Sequence, residues 1–112
     1  MQFLVELDHV KSGAQLTAEA ARSFIEQVIF PTLARAEQLI REHRIVAGGP
    51  VAGRIALRFI VEAESPSHVD QLVTSLPIWP LVETRVTPLI SFGERHQHAQ
   101  HLLEGLEAKK RG

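Results

Sequence analysis

Arginine and glutamate recur at alternate positions of short β-rich runs, and that spacing is the chemically suggestive feature of the sequence. Arg54 and Arg58 share one parity of "RIALRFIVEAE" (54–64), Glu6 sits in "QFLVEL" (2–7), and Glu83 and Arg85 sit in "LVETRVTPLI" (81–90). A guanidinium grips a carboxylate through two parallel N–H bonds. Such a face is therefore either an anion-binding surface or a set of cross-strand ion pairs, worth about 0.2–1 kcal/mol each when exposed. His96, His98 and His101 cluster near the C-terminus, and the last two would share a helix face. Metal-binding imidazoles need rigid support behind them, which a terminal segment lacks, so no metal site is expected. "AGGPVAG" (47–53) lacks the strand–loop–helix setting of a phosphate cradle and reads as a turn.

What must position these groups is one small domain. The chain has 112 residues, 45% hydrophobic and 22% charged, with net charge −1. That composition is globular and gives no electrostatic case for nucleic acid or a membrane surface. Cysteine is absent, which removes disulfides and thiolate catalysis and suits a cytoplasmic protein. "MQFLV" lacks the basic start of a signal peptide, and the apolar runs are too short for a membrane span.

The elements follow from periodicity. Residues 2–7 form a first strand and 8–16 a loop. Thr17 caps a long helix, with Glu19 in the first turn, where the helix dipole favours an acid. Apolar positions 21, 24, 25, 28, 29, 33, 36, 39 and 40 sustain the helical period to about residue 42. Pro31 lies inside that pattern and should kink the helix or divide it. A strand and turn occupy 43–53, and 54–64 is the clearest strand. Ser65 caps a second helix with Pro66 at its first position. Residues 81–90 form the last strand. A polar helix follows, with a narrow apolar edge of Leu102, Leu103 and Leu106. The expected organisation is an α+β domain over 1–92 and a C-terminal helical tail over 93–112.

The order β-α-β-β-α-β is the ferredoxin-like arrangement, a four-stranded antiparallel sheet with helices on one face. Alternation puts Phe3, Val5, Leu7, Ile55, Leu57, Phe59, Val61, Val82 and Val86 toward the helices. Leu4, Glu6, Arg54, Ala56, Arg58, Ile60, Glu83 and Arg85 go to the other face. That mixed face is either solvated, as antiparallel sheets tolerate, or packed on a second copy around a partly polar cavity.

The segments "MQFLVEL", "AEAAR" (18–22), "AGR" (52–54), "VEAES" (61–65) and "SLPIWPLVETRVTPL" (75–89) occur in order. Together they resemble the muconolactone delta-isomerase family over about residues 1–90, most specifically in the Leu-Pro-Ile-Trp-Pro to Val-Thr-Pro-Leu stretch. The resemblance implies ferredoxin-like subunits paired into a dimeric α+β barrel and assembled as homo-oligomers. It implies enzymes without metal or cofactor that move a proton within a small carboxylated lactone of aromatic breakdown. The partners implied are a second copy and a small anionic organic ligand.

The family's suspected catalytic glutamate and tyrosine are not matched. Counting forward from "AEAAR", the glutamate's place falls on Gln27; counting back from "AGR", it falls near Thr32. The tyrosine's place falls on Ile55, and the chain has no tyrosine. Candidate replacements for the base are Glu26, His43 and His9, since a carboxylate or an imidazole is the usual choice. Arg54, Arg58 and Trp79 are the candidate substrate-binding residues. Trp79 is held between Pro77 and Pro80, where it would seal the core edge, form an interface or wall a ligand. Three functions compete: a cofactor-free isomerase, a non-catalytic acid-binding or oligomeric barrel that has lost the family's catalytic groups, and another chemistry of the same barrel such as a cofactor-free oxygenase.

Overall fold

The computed structural model describes residues 1–10 and 17–111. The expected loop over 8–16 lies outside the described residues from 11 onward, and its first two residues extend the first strand. The strands are β1 (Gln2–His9), β2 (Ile45–Pro50), β3 (Ala56–Glu62) and β4 (Val82–Leu89). They form one antiparallel sheet in the order β2-β3-β1-β4. The helices are α1 (Ala18–Phe24), α2 (Phe30–Arg41), α3 (Pro66–Thr74) and α4 (Phe92–Arg111). This is the ferredoxin-like order with an added C-terminal helix.

Each helix begins where local chemistry sets it. The Thr17 side chain accepts the Ala20 N–H at 3.1 Å. Ser65 accepts the His68 N–H at 3.1 Å, with Pro66 following where no N–H is needed. Ser91 and Glu94 make the corresponding start of α4, Ser91 accepting the Glu94 N–H at 3.1 Å.

Pro31 divides the first helix through a π-helical turn, Ile25–Ile29, placed between α1 and α2. A proline in a regular helix clashes with the carbonyl four residues back. Here Phe30 N–H instead bonds the Ile25 carbonyl five residues back, and the widened turn admits the ring at the start of α2. α2 then stops at a left-handed residue, His43 (φ 59°). Arg44 N–H bonds Leu39 O at 2.8 Å and His43 N–H bonds Ile40 O at 3.0 Å. This is the paired-bond helix stop in which glycine is the usual occupant.

Directly opposed residues of an antiparallel pair share a face. Phe3 faces Val61, Val5 faces Phe59 and Leu7 faces Leu57, and the first two pairs are buried under the helices with Leu39, Val69 and Val73. Two residues of the expected inner face differ. Ile55 precedes β3 and is nearly half exposed, and Val86 is 37% exposed although it pairs with buried Val5. β4 is an edge strand whose Val82 packs against the core at one end, while Val86 farther along is left exposed. At the other edge, β2 slips by one residue between Ile45 and Ala47. Gly48 (φ +104°) follows, where a Cβ would come within 2.1 Å of the Arg58 carbonyl oxygen. Only glycine fits that approach.

No helix among the described residues is long and apolar enough to cross a membrane.

Candidate active site

The helical break and the end of the sheet where β2 leads into β3 line a cleft of about 440 Å³, in the size range of small-molecule sites. Phe24, Ile25, Ile29 and Leu33 line it from the helical side, Ile55 and Leu57 from the β3 side, and Ile78 from the corner before β4. Because the π-helical turn rotates the helix between Phe24 and Ile29, apolar side chains on both sides of the break reach one cavity.

Its floor is pinned by a single polar contact. Thr32 is buried, and its Oγ1 accepts the Ile78 N–H at 3.0 Å. The Pro-Ile-Trp-Pro corner is thereby held against α2. Leu76 and Ile78 seal the core there. Trp79 opens a short 3₁₀ turn (Trp79–Leu81) and is 40% exposed. It does not line the cleft, so the core-sealing role belongs to its neighbours and the indole is left at the surface.

The charged rim lies where the chain turns into β3. Arg54 lines the cleft, and its Nη2 donates to Asp8 Oδ1 at 2.7 Å. Arg58, half-buried, donates from Nη2 to both Asp8 oxygens at 3.0 and 3.1 Å, and its Nε lies 3.4 Å from Glu6 Oε2. The two arginines thus share Asp8, and Arg54 pairs with that residue rather than with Glu83. Asp8 lies opposite both Ala56 and Glu83 in the ladder, so the register brings it within reach of arginines on the β3 side. Arg58 spends its donors on Glu6, Asp8 and the Leu57 carbonyl. Arg54 holds one acid, Asp8, and is also a lining residue of the cleft.

The candidate bases are not together. Glu26 pairs with Arg22 at 2.9 Å on the outer side of the helix, in a shallow depression with Ala18, Glu19 and Ser23. His43 lies with Arg44, Glu62 and His68 at the Met1 end of the sheet, whereas Arg54 and Asp8 lie at the His9 end. His9 is different. Its ring stands 5.4 Å from that of Phe24, a residue of the cleft wall, in a tilted stack. Among the described residues no other histidine makes a ring contact of this kind. The sequence offers His9 as a candidate base in the loop after the first strand; the structure puts it on β1, and its contact with Phe24 is not legible in the sequence because the docking of α1 makes it.

The two places matched to the family's missing residues are also explained. Thr32 and Ile55 both line the cleft, while Gln27 is exposed. The count made backward from "AGR" thus points to a residue of the cleft, and the forward count to an exposed one. Among the described residues no group of His, Asp or Glu is arranged to hold a metal ion.

Comparison with known proteins gives the same picture. The family model for muconolactone delta-isomerase matches residues 1–95. The fold is similar to the crystal structure of muconolactone isomerase, with TM-score 0.65 and 18% identity over 81% of this chain and 90% of that one. It is also similar to 5-chloro-2-hydroxyhydroquinone dehydrochlorinase from Burkholderia phenoliruptrix in complex with 2,5-dihydroxybenzoquinone. There the TM-score is 0.60 and the identity 23%, over 84% of this chain and 98% of that one. No curated protein matches the chain.

Proposed function

Because the chain belongs to the muconolactone delta-isomerase family, we propose that its apolar cleft takes a small carboxylated ring compound and moves a proton within it. The observation that carries this reading is Arg54 at the rim of an otherwise apolar cavity. A ligand with a flat apolar body and one carboxylate fits such a site, the body displacing water and the carboxylate meeting the guanidinium. The fold neighbours are named for reactions of small oxygenated rings, one a muconolactone isomerase and the other a dehydrochlorinase bound to a dihydroxybenzoquinone.

The proton carrier in this reading is His9. An imidazole titrates near neutrality and both removes and returns a proton. His9 is not itself a lining residue, but its ring stacks on Phe24 of the cleft wall, whereas Glu26 and His43 stand farther from it. Proton transposition needs no metal or redox group, since the proton lost at one carbon is returned at another. Arg54 would hold the carboxylate and stabilise the charge that develops beside it.

The uncovered sheet face supports self-association. Leu4 and Ile60 oppose each other there beside Glu6, Asp8 and Arg58, and no helix covers them. Their acids and arginines neutralise one another within the face, which lowers the cost of burying it against a second copy.

Proton NMR of muconolactone with the protein in deuterated buffer tests the assignment. Isomerisation or catalysed exchange of the acidic proton is expected, with loss on Arg54→Ala and on His9→Gln. Absence of both signals beside an active control isomerase removes the isomerase reading and leaves the cleft as a binding site.

A further inference from the structure

We propose that the Thr32 hydroxyl donates a hydrogen bond to a carbonyl oxygen of the ring compound held in the cleft. The proposal rests on the reading of the cleft as the site of a small carboxylated ring, and it adds a second polar contact to that ligand. Thr32 and Arg54 are the two lining residues whose side chains carry polar atoms. They differ in depth. Thr32 is buried, whereas Arg54 is exposed at the rim.

The fold uses only half of this hydroxyl. A threonine O–H offers one donor and two acceptor lone pairs. Thr32 Oγ1 accepts the Ile78 N–H at 3.0 Å, which fixes the oxygen and leaves the O–H in need of an acceptor. In a helix that acceptor is commonly a carbonyl three or four residues back. Thr74 shows the arrangement, donating to Asp70 O at 2.8 Å and to Gln71 O at 3.3 Å. Thr32 makes no such bond, and among the described residues its side chain has the Ile78 N–H as its one hydrogen-bond partner. Buried donors are nearly always paired, so one that the fold leaves over is available to a ligand.

This narrows the ligand class. A carboxylate at Arg54 and a neutral acceptor at Thr32 describe a ring whose carbonyl is set apart from its acid group, as in an unsaturated lactone or a cyclic enone. A second carboxylate at Thr32 would be buried among apolar side chains with one neutral donor, which is costly. When a base takes a proton from a carbon conjugated with the carbonyl, the C–H electron pair shifts toward the carbonyl oxygen. The pair returns when the proton is added at the other end of the conjugated system. A hydrogen bond to that oxygen strengthens as the charge develops and so favours the transition state over the ground state. The hydroxyl keeps its own proton throughout.

Calorimetry with two probes tests the assignment: a saturated γ-lactone bearing one acetate arm, and the matching cyclic ether, which lacks only the carbonyl oxygen. Neither probe isomerises, so the readout is independent of turnover. The ratio of lactone to ether affinity should fall about tenfold from wild type to Thr32→Val, as expected for loss of one hydrogen bond in a dry site. Thr32→Ser should keep the wild-type ratio. A threonine that served the fold alone would weaken both probes together, and an unchanged ratio in Thr32→Val overturns the proposal. If Arg54→Ala still weakens both probes in that case, the carboxylate site stands without Thr32. Infrared spectra of the isotope-labelled lactone bound to wild type need no variant. Its C=O stretch should lie well below the value in an apolar solvent, and a value equal to that solvent's overturns the hydrogen bond. Binding of neither probe to wild type removes the carboxylate site and the proposal together.

Discussion

The Thr32 hydroxyl accepts the backbone N–H of Ile78 at 3.0 Å across 46 residues of sequence, with the threonine only 3% exposed. That bond ties the widened first helix to the proline-flanked corner before β4, and both sides line the cleft. A buried N–H left without its acceptor costs about 1–3 kcal/mol. Thr32→Val keeps the shape and removes the acceptor, so it should lower unfolding free energy by about that amount in urea titration. Thr32→Ser should retain most of it. Equal stability of the Val variant would show that the bond contributes nothing.

Filling the cleft should separate binding from folding. Ala21 lines the cavity from α1, and Ala21→Trp would occupy it with a side chain projecting into open space. Affinity for a small carboxylated ring, read by calorimetry, should fall at least tenfold while the melting temperature stays within a few degrees. Undiminished binding would place the ligand elsewhere.

His43 sits in a left-handed conformation at the end of α2, a position where a side chain costs roughly 1 kcal/mol relative to glycine. His43→Gly should therefore leave the protein as stable or raise its stability by up to about 1 kcal/mol. Proton-transfer activity should be unchanged, because the residue lies at the sheet end away from Arg54. A loss of turnover without loss of stability would return His43 to the mechanism.

Glu62 accepts a hydrogen bond from the Met1 ammonium at 2.9 Å. That bond is the main cause holding its carboxyl below the ordinary value, with the ammonium charge adding to it and desolvation opposing. A folded-state value below the unfolded one means that the contribution is present above the ordinary carboxylate range. It is lost as pH falls through the lowered value. NMR titration should show Glu62 titrating below the ordinary glutamate value, and Glu62→Gln should weaken the acid-side dependence of stability. A Glu62 that titrates at the ordinary value would remove the ion pair.

Much of this molecule is legible without a structure, because strand parity, caps and proline effects act over a few residues. Thr17, Ser65 and Pro66 mark helix starts by their own side chains. The parity of β1 and β3 gives the buried pairs Phe3–Val61 and Val5–Phe59. The effect of Pro31 is legible too, though not the form it takes. The family is legible as well, and its model matches residues 1–95, which include the stretch from Leu-Pro-Ile-Trp-Pro to Val-Thr-Pro-Leu.

The site required the tertiary structure, because its members meet only through register and docking. Arg54 and Arg58 converge on Asp8 across some fifty residues of chain, a meeting that strand parity alone does not specify. His9 reaches Phe24 only once α1 lies on the sheet. Trp79, the most conspicuous residue of its segment, is left at the surface, while Ile78 beside it enters the cleft. Local sequence fixes which way a side chain faces on its own element. Which partner it meets there is decided by the packing of elements far apart in the chain.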